Sequence, residues 1–191
     1  MTEGVAIQPV RTKGSPLTIG VTVWLASEMM FFAGLFAAFF VLSANNDPWP
    51  PAGSELDSFR ASIFTVVFIV SGACMWVAVQ TARRGDRTAM LLWLLLTTVL
   101  GVILVAAQLL EWLGLDFSIS SNPFGSMYYL LTGIHVLHVV AGIVLLVAVA
   151  FMVGGRRTRA PVGHTVQVAS YYWFFLVIMW IAVFLVLYVL Q

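Results

Sequence analysis

Charge is scarce in this 191-residue chain: Asp, Glu, Lys and Arg together make up 9% of it, where a soluble domain carries about a quarter. So few charges cannot clothe a water-facing surface, which excludes a soluble globular protein, and nothing in the balance points to a nucleic-acid partner. Cysteine is all but absent. Cys74 stands alone, so neither an internal disulfide nor a cysteine-built metal motif can form. Lysine occurs once, as Lys13, against eight arginines, a compositional hint of a GC-rich genome. Proline is missing from the middle of every apolar run, unlike the broken helices at which many transporters bind substrate. There is no Gly-rich phosphate loop, nucleophile triad, nucleotide-binding feature, internal repeat or low-complexity tract.

What remains is apolar. Hydrophobic residues make up 61% of the chain and the mean hydropathy is +1.01. About 20 apolar residues cross the hydrocarbon core as a helix, and five runs are long enough: 17–43, 59–82, 88–115, 126–153 and 168–190. The reading is an all-α integral membrane bundle of five transmembrane helices, preceded by a tail over 1–16. That tail carries Arg11 and Lys13 and superficially resembles the start of a signal peptide. The first run is much longer than a signal core of about 7 to 15 residues, and no small-residue cleavage site follows, so the span is expected to be retained. Between the first two spans, Pro48, Pro50, Pro51 and Gly53 predict a loop built from turns.

Basic residues alternate by loop. Arg11 and Lys13, then Arg83, Arg84 and Arg87, then Arg156, Arg157 and Arg159 fall on one side; the other has only Arg60, with Asp47, Glu55, Asp57 and Asp116. The positive-inside rule then predicts a cytoplasmic N-terminus and an external C-terminus. Trp49, Trp112, Tyr128, Tyr129, Tyr171, Tyr172 and Tyr188 lie mostly near span ends, where aromatic anchors are expected.

The polar residues inside the spans are the functional candidates. Glu28 sits near the middle of the first span, where a carboxyl is costly and normally faces protein. Thr97, Gly101, Gln108 and Glu111 share a narrow stripe of the third span, with Glu111 nearer the outer surface. Tyr128, Thr132, His135, His138 and Gly142 share a face of the fourth. At 1.5 Å per residue the two histidines lie about 14 to 18 Å deep, level with Glu28. Glu28 is therefore expected to be protonated, or to share a proton with His135 or His138, across the first and fourth spans. Glu28 and Glu111 suit either a proton path or interhelical glue. Two histidines three apart can ligate a metal, but the only other histidine, His164, is placed in a loop, so the spacing favours hydrogen bonding over haem, copper or zinc. The run from Met29 to Phe40 puts Phe32, Leu35 and Phe39 on the Glu28 face as packing. Gly34, Gly72, Gly101, Gly133 and Gly142 are expected to allow close helix approach.

A set of motifs carries a resemblance. In order along the chain come Ser27-Glu28-Met29-Met30-Phe31-Phe32-Ala33-Gly34, Trp49-Pro50-Pro51-Ala52-Gly53, Gly85-Asp86-Arg87 and Gln108-Leu109-Leu110-Glu111. Tyr128, the run from Thr132 to Gly142, Tyr172-Trp173 and Trp180 complete it. This pattern resembles the subunit III family of haem-copper terminal oxidases, in its cytochrome c oxidase branch and its short five-helix bacterial form. The resemblance implies a core subunit that binds no haem, copper or other metal itself and is not catalytic alone. Its implied partners are the haem-bearing subunit I, subunit II and phospholipids held in a cleft. A cytochrome bc complex in a supercomplex is a candidate further partner. The implied role is to sustain proton uptake, assembly and durable turnover of a proton-pumping oxidase in the bacterial plasma membrane. The family's functional glutamate maps to Glu28, and its second acid and paired histidines to Glu111, His135 and His138. The last span departs from the family where many members carry a histidine and an aspartate, for this chain has Phe174 and Val177. Subunit III of quinol oxidases and the homologue associated with nitric oxide reductases share much of the pattern. A stand-alone proton-coupled carrier using Glu28 and His135 is the alternative of a different class.

Overall fold

The computed structural model describes residues 16–54, 56–154 and 162–190. Five helices follow one another: α1 (Pro16–Asn45), α2 (Ser58–Arg83), α3 (Arg87–Leu113), α4 (Pro123–Gly154) and α5 (Val162–Phe184), the last widening into a π-helical turn over Leu185–Val189. No strand occurs among the described residues, and all five helices are long and apolar enough to cross a membrane. Chain direction alternates, so one end of the bundle, the near face, gathers the start of α1 and the α2–α3 turn. The far face gathers the α1–α2 and α3–α4 loops.

Local chemistry sets the helix ends. Asp57 caps α2 by accepting from the Arg60 N–H, and Asp86 caps α3 by accepting from the Ala89 N–H, which satisfies donors the first turn leaves free. Pro123 opens α4 where an N–H is not needed, while Asn122 Oδ1 accepts from the Gly125 N–H at 2.6 Å. Gly85, at φ +77°, makes the two-helix turn at the near face. Three boundaries differ from the sequence reading. Helix α3 stops at Leu113, where the Gly114 N–H turns back to the Glu111 carbonyl. Helices α4 and α5 begin earlier than their apolar runs, α4 at Pro123, whose ring suits a first helical position, and α5 at Val162, where polar residues continue the helix beyond its greasy part. His164 is consequently in the first turn of α5 rather than a loop, with Nε2 3.2 Å from Thr18 Oγ1.

The core belongs to α5. Of its apolar window 61% is buried, against 11% for α1, so α5 is the hub and α1 leans on the outside of α4 and α5. Trp173, fully buried, fills the centre. A Cβ on Gly101 of α3 would come within 2.7 Å of its ring, and one on Gly142 of α4 within 3.2 Å. Those two glycines admit the indole, and Ser71 of α2 accepts from its Nε1 at 3.2 Å. Trp180 repeats the device one stage further along, donating to Thr65 Oγ1 at 3.0 Å; an indole N–H in an apolar core needs such an acceptor. Gly72 also packs closely, on Val177. Gly34 and Gly133 do not serve close approach: Gly34 has open space beside it and Gly133 only the distant edge of Trp112, since each lies off its helix's packed face.

The far-face loops are tied together. Trp49 packs edge-on against Phe39 and Phe124, Asn122 donates to Ser54 Oγ at 2.9 Å, and Tyr129 donates to the Phe117 carbonyl at 3.1 Å. At the near face the Arg87 guanidinium donates to the Val153 carbonyl near the end of α4. Of the basic residues that set the predicted orientation, Arg83, Arg84 and Arg87 lie at the near face and Arg60 at the far face. Arg11, Lys13, Arg156, Arg157, Arg159 and the acidic Glu55 lie outside the described residues. Outward positions such as Leu92, Leu110, Leu137 and Phe151 are exposed, as the lipid side of a bundle requires.

Candidate functional site: two polar centres on either side of one helix

Helix α4 carries His135 and His138 three residues apart, about 60° round its circumference at 3.6 residues per turn. Their rings diverge, and only His138 joins one of the two polar centres described below.

The first centre joins α1 to α4. Glu28 lies twelve residues into α1, about 18 Å along it at 1.5 Å per residue, and its Oε2 is 3.0 Å from His138 Nε2. His138 Nδ1 is 2.8 Å from the Ile134 carbonyl; a carbonyl only accepts, so Nδ1 holds a hydrogen there. The neutral ring then offers Nε2 as an acceptor, and a single proton occupies the Glu28–His138 contact whichever partner owns it. The side chains are 21% and 13% exposed respectively, so the pair is only partly buried. Tyr172 donates to the His138 carbonyl at 3.0 Å and stacks on Trp24 of α1 with ring centres 5.1 Å apart. Phe32 closes the other flank, 5.5 Å from the His138 ring.

The second centre is sealed inside the bundle towards the far face. Glu111, 4% exposed, accepts through Oε1 from Tyr128 at 3.2 Å and from Tyr188 at 3.0 Å. Gln108 Nε2 lies 3.4 Å from the Tyr128 oxygen and donates to it, while Glu111 Oε2 has no hydrogen-bond partner. Tyr188 comes from the π-helical turn, whose consecutive residues Val186, Leu187 and Tyr188 are all buried. Tyr128 and Tyr188 are thus internal donors to an acid and not interfacial anchors, because the nearest unmet acceptor lies in the bundle. The sequence reading placed Tyr128 on the inward face but missed Tyr188. Its signal was available: Trp173, Leu176, Trp180, Val183 and Leu187 form an inward stripe at helical spacing that Tyr188 adjoins.

His135 belongs to neither pair. Its Nε2 donates to the Leu176 carbonyl at 3.1 Å, and Phe68 and Trp180 enclose the ring. Of the four candidate residues the structure therefore joins Glu28 to His138 and leaves Glu111 and His135 apart from them. Among the described residues no three His, Cys, Asp or Glu side chains cluster as a metal ion needs. Phe174 and Val177, where the family pattern has polar residues, pack as apolar neighbours of the core.

A bundle of five helices long and apolar enough to span a membrane, with an acid–histidine pair between the first and the fourth, defines a polytopic membrane protein with polar groups inside its spans. The comparisons give the family. The family model described as cytochrome c oxidase subunit III matches residues 4–191. A relative named probable cytochrome c oxidase subunit 3 from Mycobacterium tuberculosis is 37% identical over 92% of this chain and 88% of its own. One of the same name from Nocardia farcinica is 37% identical over 98% and 96%. Cytochrome c oxidase subunit 3 of Thermostichus vulcanus is 34% identical over 90% and 86%. The chain belongs to the cytochrome c oxidase subunit III family. It is accordingly a multi-pass membrane subunit of a respiratory oxidase complex, assembled with other oxidase subunits.

Proposed function

We propose that the chain is a cofactor-free, non-catalytic subunit III that stands beside the haem-bearing subunit I and subunit II in the bacterial plasma membrane, N-terminus inside and C-terminus outside. There it sustains the proton uptake and durable turnover of a proton-pumping oxidase that reduces dioxygen to water. The observation that carries this reading is the Glu28–His138 contact of 3.0 Å. It supports one exchangeable proton shared between α1 and α4, far along both helices and only partly buried. Such a pair can take up and return a proton without net displacement of either helix. Among the described residues no three His, Cys, Asp or Glu side chains cluster, and His138 Nε2 and His135 Nε2 are engaged by Glu28 and the Leu176 carbonyl, which supports a chain free of haem and copper.

A groove of about 270 Å³ at the near-face half of α1, α4 and α5, lined by Leu17, Val21, Trp24, Leu145, Val149 and Tyr172, supports bound phospholipid. Its walls are almost wholly apolar and fit an acyl chain. The carrier alternative would work through Glu28 and His135, which are not in contact, and no observation favours it.

The test is the composition and activity of a mild-detergent preparation of the tagged chain. Oxidase subunits I and II should co-purify, haem and copper should travel with them, and the chain separated from them should contain neither. Stoichiometric haem or copper in the separated chain, or a chain that purifies without haem proteins, would overturn the reading. The same preparation, reduced with cytochrome c or with quinol, tells this branch from the quinol oxidase and nitric oxide reductase homologues.

A further inference from the structure

A pocket of about 20 Å³ lies among α2, α3, α4 and α5, lined by Phe64, Phe68, Leu104, Gln108, His135 and Trp180, with valine side chains completing its wall. One water needs about 10–15 Å³ and two to four polar partners, so the space admits one. The polar lining is specific. Since Nε2 of His135 donates to Leu176, the neutral ring presents Nδ1 as an acceptor, and no donor meets it among the described residues. Since Tyr128 donates to Glu111, its oxygen accepts from the Gln108 amide nitrogen. That orientation leaves Gln108 Oε1 as a second acceptor with no donor among the described residues. Trp180 spends its only donor on Thr65. Two acceptors with no donor among the described residues line one water-sized space, so a water there has hydrogen-bond partners to meet.

We propose that this cavity binds one ordered water, which donates one hydrogen to His135 Nδ1 and the other to Gln108 Oε1. The water turns two local arrangements into one directed hydrogen-bond chain. From the water it runs through the Gln108 amide and the Tyr128 hydroxyl to Glu111 Oε1, where Tyr188 also donates. Every donor in that arm points towards the carboxyl, and such chains polarise cooperatively. His135, Gln108, Tyr128 and Glu111 then respond as a unit, sealed from the Glu28–His138 pair by α4. The inference goes beyond the proposed function and does not depend on it, since it concerns a water site and its coupling, whatever complex the chain serves.

The test uses the intact oxidase complex. A cryo-EM map that resolves internal waters elsewhere in the complex should show a peak within hydrogen-bond reach of His135 and Gln108; no peak there overturns the proposal. Infrared difference spectra supply the coupling. The carboxyl band of Glu111, identified by its loss in Glu111→Gln, should shift in Gln108→Met and in His135→Phe. It should also shift in Val139→Ile, which adds a methyl group towards the cavity and alters no polar atom. A Glu111 band unmoved by Val139→Ile, in a complex whose map shows the water gone, overturns the coupling. Where a polar variant fails to assemble, the parent map and Val139→Ile decide the matter between them.

Discussion

Substituting Glu28 with glutamine and with alanine separates its part as a proton holder from its part as a link between α1 and α4. The glutamine amide keeps the side chain's length, and its N–H donates to His138 Nε2 across the same 3.0 Å; the contact survives while the exchangeable proton is gone. Alanine strands His138 Nε2 in a place where only 13% of that side chain is exposed. A buried acceptor left unpaired costs about 1–3 kcal/mol, which is roughly a 5- to 150-fold change in the docked population at 1.4 kcal/mol per decade. Helix α1 is sensitive to such a loss, because Phe32 and Phe39 are its only fully buried residues and few polar ties reach it. Melting of the purified complex and the rate at which turnover decays are the assays, supported by disulfide trapping between cysteines engineered into α1 and α4. Glu28→Gln should assemble and melt like the parent but lose activity sooner during turnover; Glu28→Ala should also melt earlier and trap less. In a cycle with His138→Ala the double variant should cost less than the sum of the singles, as contacting residues do. Parent-like behaviour of both Glu28 variants, or strict additivity in the cycle, would refute the pair as the site's working unit.

Tyr188→Phe removes one of two hydroxyl donors to a buried carboxyl and should cost about 0.5–1.5 kcal/mol, the net worth of a typical hydrogen bond. A thermal melt unchanged by it would show that the Tyr188–Glu111 contact of 3.0 Å carries no stability. Gly101→Ala drives a methyl group to 2.7 Å from Trp173, a residue with nowhere to move, and should cost about 1–3 kcal/mol. Gly34→Ala, with open space around it, should be neutral or raise stability by up to about 1 kcal/mol through helix propensity. Equal melting temperatures for the two glycine variants would contradict the placement of Trp173. A reporter active only in the cytoplasm, fused after Gln191, should be silent; a strong signal would reverse the proposed orientation.

The five helices were legible because length and hydropathy suffice for them: a run of some 20 apolar residues has few other fates. Their ends were less so. Val162 to Gln167 continues α5 although it includes Gly163, His164 and Thr165, since nothing in hydropathy marks where a helix stops once it leaves the hydrocarbon. The order of burial was not legible either. Helices α1 and α5 are similarly apolar, with mean hydropathies of 2.0 and 2.5 over their windows, yet one is peripheral and the other central. In lipid both faces of a helix are greasy, so hydropathy does not point inward as it does in water. What does point inward is the matching of single groups: Trp173 to Ser71, Trp180 to Thr65, and two glycines to one indole. Such matches are properties of pairs of helices and cannot be read from either alone.

The candidate site shows the same limit at closer range. Depth put Glu28 level with both histidines, and depth was the only coordinate the sequence supplied. Choosing between His135 and His138 takes azimuth, and the 60° between them decides it: the ring turned towards α1 meets Glu28, the ring turned towards α5 meets a backbone carbonyl. The same angle bears on metal binding. Histidines three apart can close on one ion only if both rings swing to the seam between them, and here both rings are held through Nε2, His138 by Glu28 and His135 by the Leu176 carbonyl. Freeing them would unmake the tie between α1 and α4 and leave a carbonyl of α5 unmet in the core. Helix α4 therefore separates its two histidines: His138 meets Glu28 of α1 and is partly exposed, while His135 is buried against Phe68 of α2 and the Leu176 carbonyl of α5.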